Sequence, residues 1–367
     1  HQAPHGALGA RVSALWLLAA ACGGAGSPPA APAQPTVDAR TAEKDARGLV
    51  VEIFQTIDRG NTDSMFSLLA DPLTVLGPRR ADAMATRSDA LVALGKVVDR
   101  RAPKTKSHPQ LRSTALTVAV SPGGRSAWAF DVVRFEGQSI AVTAILSNTS
   151  DLWSVTTAAL ALVPSAARAR TESARDAIVP PGVPPGGAAA GKTDPAAARV
   201  VEDWKKGLLD PDRWGTELMS QSDAIYAGPT AGQVAHGKQA IKQLWKARTK
   251  ANVREAVSGE ITARVTPDGQ LVWLSAPVTR VADGEDPLPL RSFAVYEKDG
   301  AAWQLIVLHE GLAIDEPGSG TAYKKIVPAP PRAEPAKPDD KKPGDTATAK
   351  AKPARKKKKP APKPDDP

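Results

Sequence analysis

The chain has 367 residues, of which 42% are hydrophobic and 4% aromatic, and it carries a formal net charge of +9. From Pro328 to Pro367 there are 10 Lys, 2 Arg and 6 acidic residues, so this segment alone supplies +6. The rest of the chain is therefore only weakly basic. This argues against a nucleic-acid-binding core, in which basic residues cluster on the fold itself.

An apolar run precedes the single cysteine of the chain. It reads VSALWLLAAA from Val12 to Ala21, follows Arg11 and ends at Cys22, and it is too short to span a bilayer. With Leu18 four residues before the cysteine, it resembles a relaxed bacterial lipoprotein signal. That resemblance implies a lipid on Cys22 and an exported protein anchored in the cell envelope, in the periplasm or at the outer membrane. The alternative is an ordinary cleaved signal peptide.

Two segments have the periodicity of folded domains. In the first, the pattern predicts helices over 46–59 and 62–70, a strand over 73–76, a helix over 88–100, and a four-strand meander from Ser113. In the second, Asp194 and Pro195 form a typical helix start. The prediction there is helices over 196–209, 213–220 and 237–250, and strands over 223–229, 260–266, 271–280, 290–297 and 302–310.

The two segments repeat each other. The same phrases recur in the same order over about ninety residues at nearly constant offsets, as in LTVLGP at Leu73 and AIYAGP at Ala224. A period this long exceeds a solenoid unit and indicates two complete domains of one fold. The matched positions are Gly77 with Gly228, Trp128 with Trp273, and Trp153 with Trp303.

Three segments outside the repeats have the composition of unfolded chain. Pro, Gly and Ala dominate the segment after Cys22 and the segment between the repeats, and Pro and Lys dominate the C-terminal segment. These segments bury too little apolar surface to fold. The predicted organisation is a signal segment over 1–22, a tether over 23–41, a first domain over 42–163, a linker over 164–194, a second domain over 195–317, and a disordered tail over 318–367.

The helix-helix-strand-helix-meander order predicts an α+β fold. The phrases DAIYAGPTAGQVAHGKQAI and WQLIVLHEGLA resemble the SnoaL-like branch of the NTF2-like superfamily, with Gly237, Ile241, Trp303 and His309 at the matching places. The resemblance implies two cone-shaped domains in tandem, each a curved antiparallel sheet with helices, which pair sheet to sheet as an intramolecular pseudo-dimer. The first segment departs from the pattern, since Ala159 stands where the second has His309.

Enzymes of this superfamily place an Asp or His in the cone to move protons on a small apolar substrate. The candidates here are Asp223, Tyr226 and His309, with Trp273 and Trp303 as further binding residues. Strand alternation places Trp303, Leu305, Val307 and His309 on one face, so His309 is expected to point into the cone with Trp303. Each candidate has a structural alternative: a partly buried histidine bonded to backbone, a half-buried strand tyrosine, or an aspartate that caps the strand–helix junction.

Other chemistry finds little support in the sequence. No metal-ligand spacing, cofactor motif or specific nucleic-acid-binding pattern is present. The phosphate-loop-like GGAAAGKT, from Gly186 to Thr193, lacks the strand that such a loop needs before it. The leading hypothesis is a non-catalytic envelope protein that binds a small apolar molecule or a protein partner. The rival is an isomerase, cyclase or hydrolase with its site in the second domain.

Overall fold

The computed structural model describes residues 38–77, 83–99, 111–135, 138–165, 194–210, 213–214, 221–283 and 287–312. We call 38–165 the first half and 194–312 the second half. The helices are α1 (Ala39–Arg59), α2 (Arg87–Asp99), α3 (Pro195–Leu209) and α4 (Gly237–Lys250). The strands of the first half are β1 (Leu69–Leu76), β2 (Ala83–Met84), β3 (Arg112–Ser113), β4 (Thr117–Val120), β5 (Ser126–Phe135), β6 (Gln138–Thr149) and β7 (Leu152–Leu162). Those of the second half are β8 (Ile225–Ala227), β9 (Val234–His236), β10 (Arg254–Val257), β11 (Thr262–Val265), β12 (Leu271–Val281), β13 (Leu288–Asp299) and β14 (Ala302–Leu312).

Both halves begin with a capped amphipathic helix. The Asp38 carboxylate accepts the backbone N–H of Thr41 at 3.0 Å, and Asp194 accepts that of Ala196 at 2.7 Å, with Pro195 at the first helical position. Each carboxylate satisfies a donor that the first helical turn leaves free. The buried residues then recur every three or four positions, so each helix presents one apolar stripe to its sheet. In α3 these residues are Ala197, Val200, Trp204 and Leu208.

The two sheets have the same strand order. In the first half it is β2-β1-β7-β6-β5-β3, with β4 beside β5, and in the second it is β9-β8-β14-β13-β12-β10, with β11 beside β12. The first strand lies parallel to the last in both, as β1 with β7 and β8 with β14. The predicted α+β class is confirmed by these two sheets and the helices packed against them.

A β-bulge also recurs at the same place in both halves. The register of β6 with β7 shifts between Ile145 and Leu146, and that of β13 with β14 shifts between Val295 and Tyr296. The extra residue in β14 is Ile306. Because side chains alternate along a strand, one extra residue reverses the faces of all that follow.

Each sheet has two buried faces. One face packs against the helices of the same half; we call it the cone face, and the space between it and those helices the cone. The other, the inter-sheet face, packs against the other sheet. The inter-sheet core takes residues from both halves, among them Trp128, Phe130, Ile145, Trp273, Phe293 and Val307. Sheet packing of this kind buries apolar surface that a single half would leave exposed.

Some sequence predictions differ from the structure. The helix predicted over 62–70 is a single 3-10 turn, Asp63–Met65, and β1 begins at Leu69 because that residue pairs with Val155 of β7. Tertiary strand pairing overrides the helical propensity of this segment. Helix α1 starts at Ala39 instead of residue 46. The last three residues of the predicted tether, 39–41, belong to α1. Cys22, the rest of the tether up to residue 37, most of the linker, GGAAAGKT and the tail lie outside the described residues.

Candidate functional site

The structure separates the residues that the sequence grouped in the second cone. Tyr226 lies fully buried on the cone face of β8, and Trp303 packs against the same cluster from β14. Asp223 is exposed, ahead of β8. Trp273 and His309 are on the inter-sheet side instead: Trp273 belongs to the inter-sheet core, and His309 pairs in register with Ala227, which also belongs to it.

The predicted orientation of His309 is therefore wrong, and the bulge at Ile306 is the reason. Trp303 and Leu305 face the cone, but after Ile306 the cone-facing residues are Leu308 and Glu310. His309 points to the first half, where Nδ1 lies 3.1 Å from Oγ1 of Thr143. The group that enters the cone near Tyr226 is the carboxylate of the next residue, Glu310.

Glu310 belongs to a buried network that the sequence analysis missed. The Tyr226 hydroxyl donates to Oε2 of Glu310 at 2.5 Å, and Arg248 donates to the Tyr226 oxygen at 3.2 Å. Arg280 forms an ion pair with Glu310 and donates from Nε to Glu255 at 2.6 Å. Arg248 also pairs with Glu255, so two guanidinium groups and two carboxylates share one site.

The network shifts the pKa values of Glu310 and Tyr226 further from neutral pH. Burial alone would raise the pKa of Glu310, but the charges of Arg280 and Arg248 keep it below its ordinary value. Burial and the neighbouring Glu310 carboxylate raise the pKa of the Tyr226 hydroxyl. Neither group titrates near neutral pH, as a general acid or base must. The arrangement fixes the corner of the cone rather than preparing a proton transfer.

The corresponding corner of the first half is apolar. Strand register pairs Tyr226 with Val75, since Tyr226 lies opposite Leu308 and Val75 lies opposite Ala158. The positions equivalent to Glu255, Arg280 and Glu310 hold Leu111, Phe135 and Leu160. A comparison of the two copies, residue by residue, would have revealed this charged set in the sequence.

Aromatic side chains fill the second cone. Trp204, Trp214 and Trp245 are each at most 1% exposed, with ring centroids 6.5 Å apart for the first pair and 5.8 Å for the second. The Tyr226 ring meets Trp245 edge to face at 4.5 Å. Gly228 leaves room for this arrangement, because a Cβ there would lie 2.8 Å from the Tyr226 hydroxyl oxygen.

Some polar groups of the side chains that fill the second cone make no hydrogen bond to the described residues. The indole N–H groups of Trp204, Trp214 and Trp245 and the hydroxyl of Tyr296 have no hydrogen-bond partner within the described part of the chain. A buried donor without a partner costs about 1–3 kcal/mol. Each of these N–H and O–H groups would donate a hydrogen bond to a buried water or to a ligand that carries an acceptor atom.

The first cone is lined by smaller side chains. Where the second half has Tyr226, Leu274, Tyr296 and Leu308, the first half has Val75, Ala129, Leu146 and Ala158. The exposure of the lining differs accordingly. Val142, Ala158 and Leu160 on the cone face are partly exposed, whereas their equivalents Ser292, Leu308 and Glu310 are buried.

One carboxyl group lies within the first cone. Asp131 is on β5, two residues after Ala129 and therefore on the cone face, and it is 1% exposed. Its Oδ1 accepts the backbone N–H groups of Thr114 at 3.3 Å and Ala115 at 3.0 Å. Its Oδ2 has no partner within the described residues. The second half has Ala276 at this position, so the carboxyl group is specific to the first half.

Two further titratable groups lie away from both cones. Burial and the charge of Arg291 lower the pKa of His309 to about 3, so the ring is neutral. Burial raises the pKa of Glu297 to about 7, with Asp223 and Asp299 adding repulsion. Among the described residues no cluster of His, Cys, Asp or Glu could hold a metal ion, and no helix is long and apolar enough to cross a membrane.

No protein-family model matches this sequence, and no curated protein matches it. Solved structures similar to it include NTF2-like proteins. An NTF2-like protein of unknown function from Pseudomonas putida is 17% identical over 33% of this chain and 89% of its own, with a TM-score of 0.29. A candidate dehydratase of the NTF2-like family from Streptomyces avermitilis is 15% identical over 34% and 99%, with a TM-score of 0.29. A superfamily member from Salmonella enterica is 14% identical over 32% and 89%, with a TM-score of 0.28.

Proposed function

We propose that this chain is a non-catalytic binding protein that holds a small apolar molecule in the cone of its first half. The observation that carries the proposal is the difference between the two cones. Val142, Ala158 and Leu160 keep part of their surface exposed, while the equivalent residues of the second half are buried. Small-molecule sites are lined predominantly by apolar side chains, as this partly exposed surface is.

Asp131 indicates that the ligand also carries a hydrogen-bond donor. Its Oδ2 is buried and has no partner among the described residues, and such an oxygen is stabilised by any donor that reaches it. The ligand class that fits is therefore an apolar molecule with a hydroxyl, amide N–H or amine group. The lining beside Asp131 is apolar at Ala129, Val142 and Leu160, so no second described group complements it for acid–base catalysis.

The test is binding of a neutral apolar dye, Nile red, to the purified full chain. Ala158→Leu introduces the residue that the second half has at this position, and it should fill the first cone and weaken dye binding at least tenfold. Ala302→Leu, the same change at an exposed position, is the control and should leave binding unchanged. Equal binding by the wild type and Ala158→Leu would contradict the proposal.

Mass spectrometry of molecules extracted from the purified chain identifies the natural ligand class. Asp131→Asn keeps the shape of the side chain but adds an N–H donor and removes the charge. We expect it to lose ligands that carry an amine or hydroxyl while Nile red, which has no donor, still binds. Loss of both would indicate damage to the fold, and loss of neither would overturn the role of Asp131.

The second candidate is an enzyme or ligand site in the second cone. The donors of Trp204, Trp245 and Tyr296, which have no partner in the described part of the chain, favour it, because a ligand with acceptor oxygens would satisfy them. It requires an aromatic side chain to move, since Tyr226 and Glu310 are both 1% exposed. Quenching of tryptophan fluorescence by the extracted ligand, unaffected by Ala158→Leu, would favour this second site.

We also propose an envelope location with a lipid on Cys22, which rests on the sequence alone. Metabolic labelling with radioactive palmitate should label the wild type and not Cys22→Ala. Unlabelled wild type that fractionates with soluble proteins would overturn this part of the proposal without affecting the cone.

A further inference from the structure

The inter-sheet face contains a contact between two equivalent residues. A Cβ placed on Gly311 would lie closer than 3.0 Å to the Cβ of Ala161, a separation that real Cβ atoms essentially never show. Ala161 lies opposite Ala141 in its sheet, and Gly311 lies opposite Arg291, so the two occupy the same place in the repeat. Contact between equivalent positions marks the pseudo-twofold axis that relates the halves.

Two side-chain contacts across this axis have no polar counterpart at the equivalent positions. His309 meets Thr143 at 3.1 Å, while the symmetry-related pair is Ala159 with Phe293. Arg264 donates to Oγ1 of Thr74 at 3.1 Å, while the related pair is Ala119 with Ile225. Each pair has a mate of different size and polarity.

Two more contacts follow the same rule. The Oδ1 of Asp268 accepts from the Ser126 hydroxyl at 2.6 Å, and the related positions hold Gly123 and Leu271. Arg291 donates to the backbone oxygens of Leu76 and Leu160, both at 2.9 Å, and the residue equivalent to Arg291 is Ala141. Every side-chain hydrogen bond given above across the interface thus lacks a counterpart across the axis.

We propose that this interface accepts only the other half of the chain and excludes a second copy of either half. If two first halves paired through this face, Ala161 of one would meet Ala161 of the other. At this distance one of the two residues must be a glycine, as Gly311 is, because two Cβ atoms would clash. Two second halves would bring the His309 ring against Phe293 and the Arg264 guanidinium against Ile225. Mismatched bulk and unpaired buried charge are the usual means by which interfaces reject a wrong partner. The partner class of this surface is therefore its own duplicated domain, in the same chain.

The pseudo-symmetry supplies a direct test in the full chain. Gly311→Ala should lower the urea midpoint of unfolding, because the new Cβ meets Ala161. Ala161→Gly in the same chain moves the small residue to the other side of the axis, and the double variant should recover at least half of the lost midpoint. Additive effects of the two changes would overturn the complementarity.

A second swap tests a different pair, in case Gly311→Ala does not fold. Thr143→Phe should lower the midpoint because the ring meets His309, and Thr143→Phe with His309→Ala recreates the Phe293–Ala159 contact and should recover it. Light scattering on the wild-type chain should give the mass of one chain. A stable homodimer, or a double variant no better than Thr143→Phe alone, would overturn the proposal.

Discussion

The Tyr226 hydroxyl donates a 2.5 Å hydrogen bond to Oε2 of Glu310, and both residues are 1% exposed. The bond joins neighbouring strands β8 and β14 inside the second cone, and Arg248 and Arg280 surround the same carboxylate. Four charges in such a place are stable only as a complete set, because each desolvated charge depends on its partners.

Removal of one carboxylate should therefore destabilise the fold strongly. Glu310→Leu introduces the residue of the first half but leaves Arg248 and Arg280 with Glu255 alone, and we expect a loss of about 3–5 kcal/mol. Tyr226→Phe removes only a hydrogen bond to a charged group and should lose about 1.5–3 kcal/mol. Urea unfolding followed by tryptophan fluorescence measures both.

The control for this series is an exposed ion pair of the same half. Lys205 and Glu202 lie 2.9 Å apart on α3, with 45% and 63% of their side chains exposed. Glu202→Ala should change stability by less than about 1 kcal/mol. A loss of similar size for Glu310→Leu would mean that the network contributes no more than a surface pair.

The buried histidine predicts a pH dependence. Burial and Arg291 lower the folded-state pKa of His309 to about 3, while an unfolded histidine titrates near 6.5. Between these values the unfolded state binds the extra proton, so stability decreases as the pH falls from 6.5 toward 3. The slope that this residue adds is about 1.4 kcal/mol for each pH unit.

His309→Gln should remove that slope and leave a flatter stability profile below pH 6.5. Thermal unfolding at half-unit steps from pH 7 to pH 4 makes the measurement, with the exposed His236→Gln as the matched change. Parallel profiles for the wild type and His309→Gln would show that the ring titrates normally in the folded state.

The orientation of His309 shows where sequence reasoning reaches its limit. The offsets between the copies predicted the shared topology, because equivalent residues such as Trp128 and Trp273 do occupy equivalent positions. Alternation then failed after Leu305, since the bulge at Ile306 depends on how β13 and β14 pair and has no local signal. The face of each Trp was equally hidden: Trp273 lies between the sheets and Trp303 beside the cone.

The buried network was missed for a related reason. Glu255, Arg280 and Glu310 are separated by tens of residues, and each alone has the sequence appearance of a solvated strand residue. Asp131 was missed because the search was confined to the second half, where the sequence resemblance to SnoaL-like proteins is clearer. In both cases the useful signal is a mismatch between the copies, charged in one and apolar in the other.

Glu297 predicts a pH dependence of the opposite sign. Burial, followed by the charges of Asp223 and Asp299, raises its folded-state pKa to about 7. The folded state therefore keeps a proton that the unfolded state releases above about pH 4.5, and the contribution of Glu297 to stability is lost as the pH rises from 4.5 to 7.

Glu297→Gln is uncharged at every pH and should remove this loss, so the variant gains stability relative to the wild type at pH 8 and not at pH 4. Urea midpoints at the two pH values give the comparison, with Glu202→Gln as the exposed control. A variant that is weaker than the wild type at pH 8 would show that the Glu297 carboxylate is held by a favourable contact.

The difference between the two cones can be measured as a difference in stability. Leu308 is equivalent to Ala158 and Leu160 to Glu310, so the two leucines are two positions apart in the repeat. Both face their cones, and Leu308 is 0% exposed whereas Leu160 is partly exposed. Leu308→Ala leaves a void among aromatic side chains that cannot collapse, and should lose about 2–5 kcal/mol. Leu160→Ala removes contacts on a surface that solvent already reaches, so we expect a loss of about 1–2 kcal/mol.

Urea unfolding of the two variants provides the comparison, and Leu152→Ala, at a residue that is 74% exposed, is the control. If Leu160→Ala proves as damaging as Leu308→Ala, the first cone is packed as tightly as the second, and it leaves no room for a ligand beside Asp131.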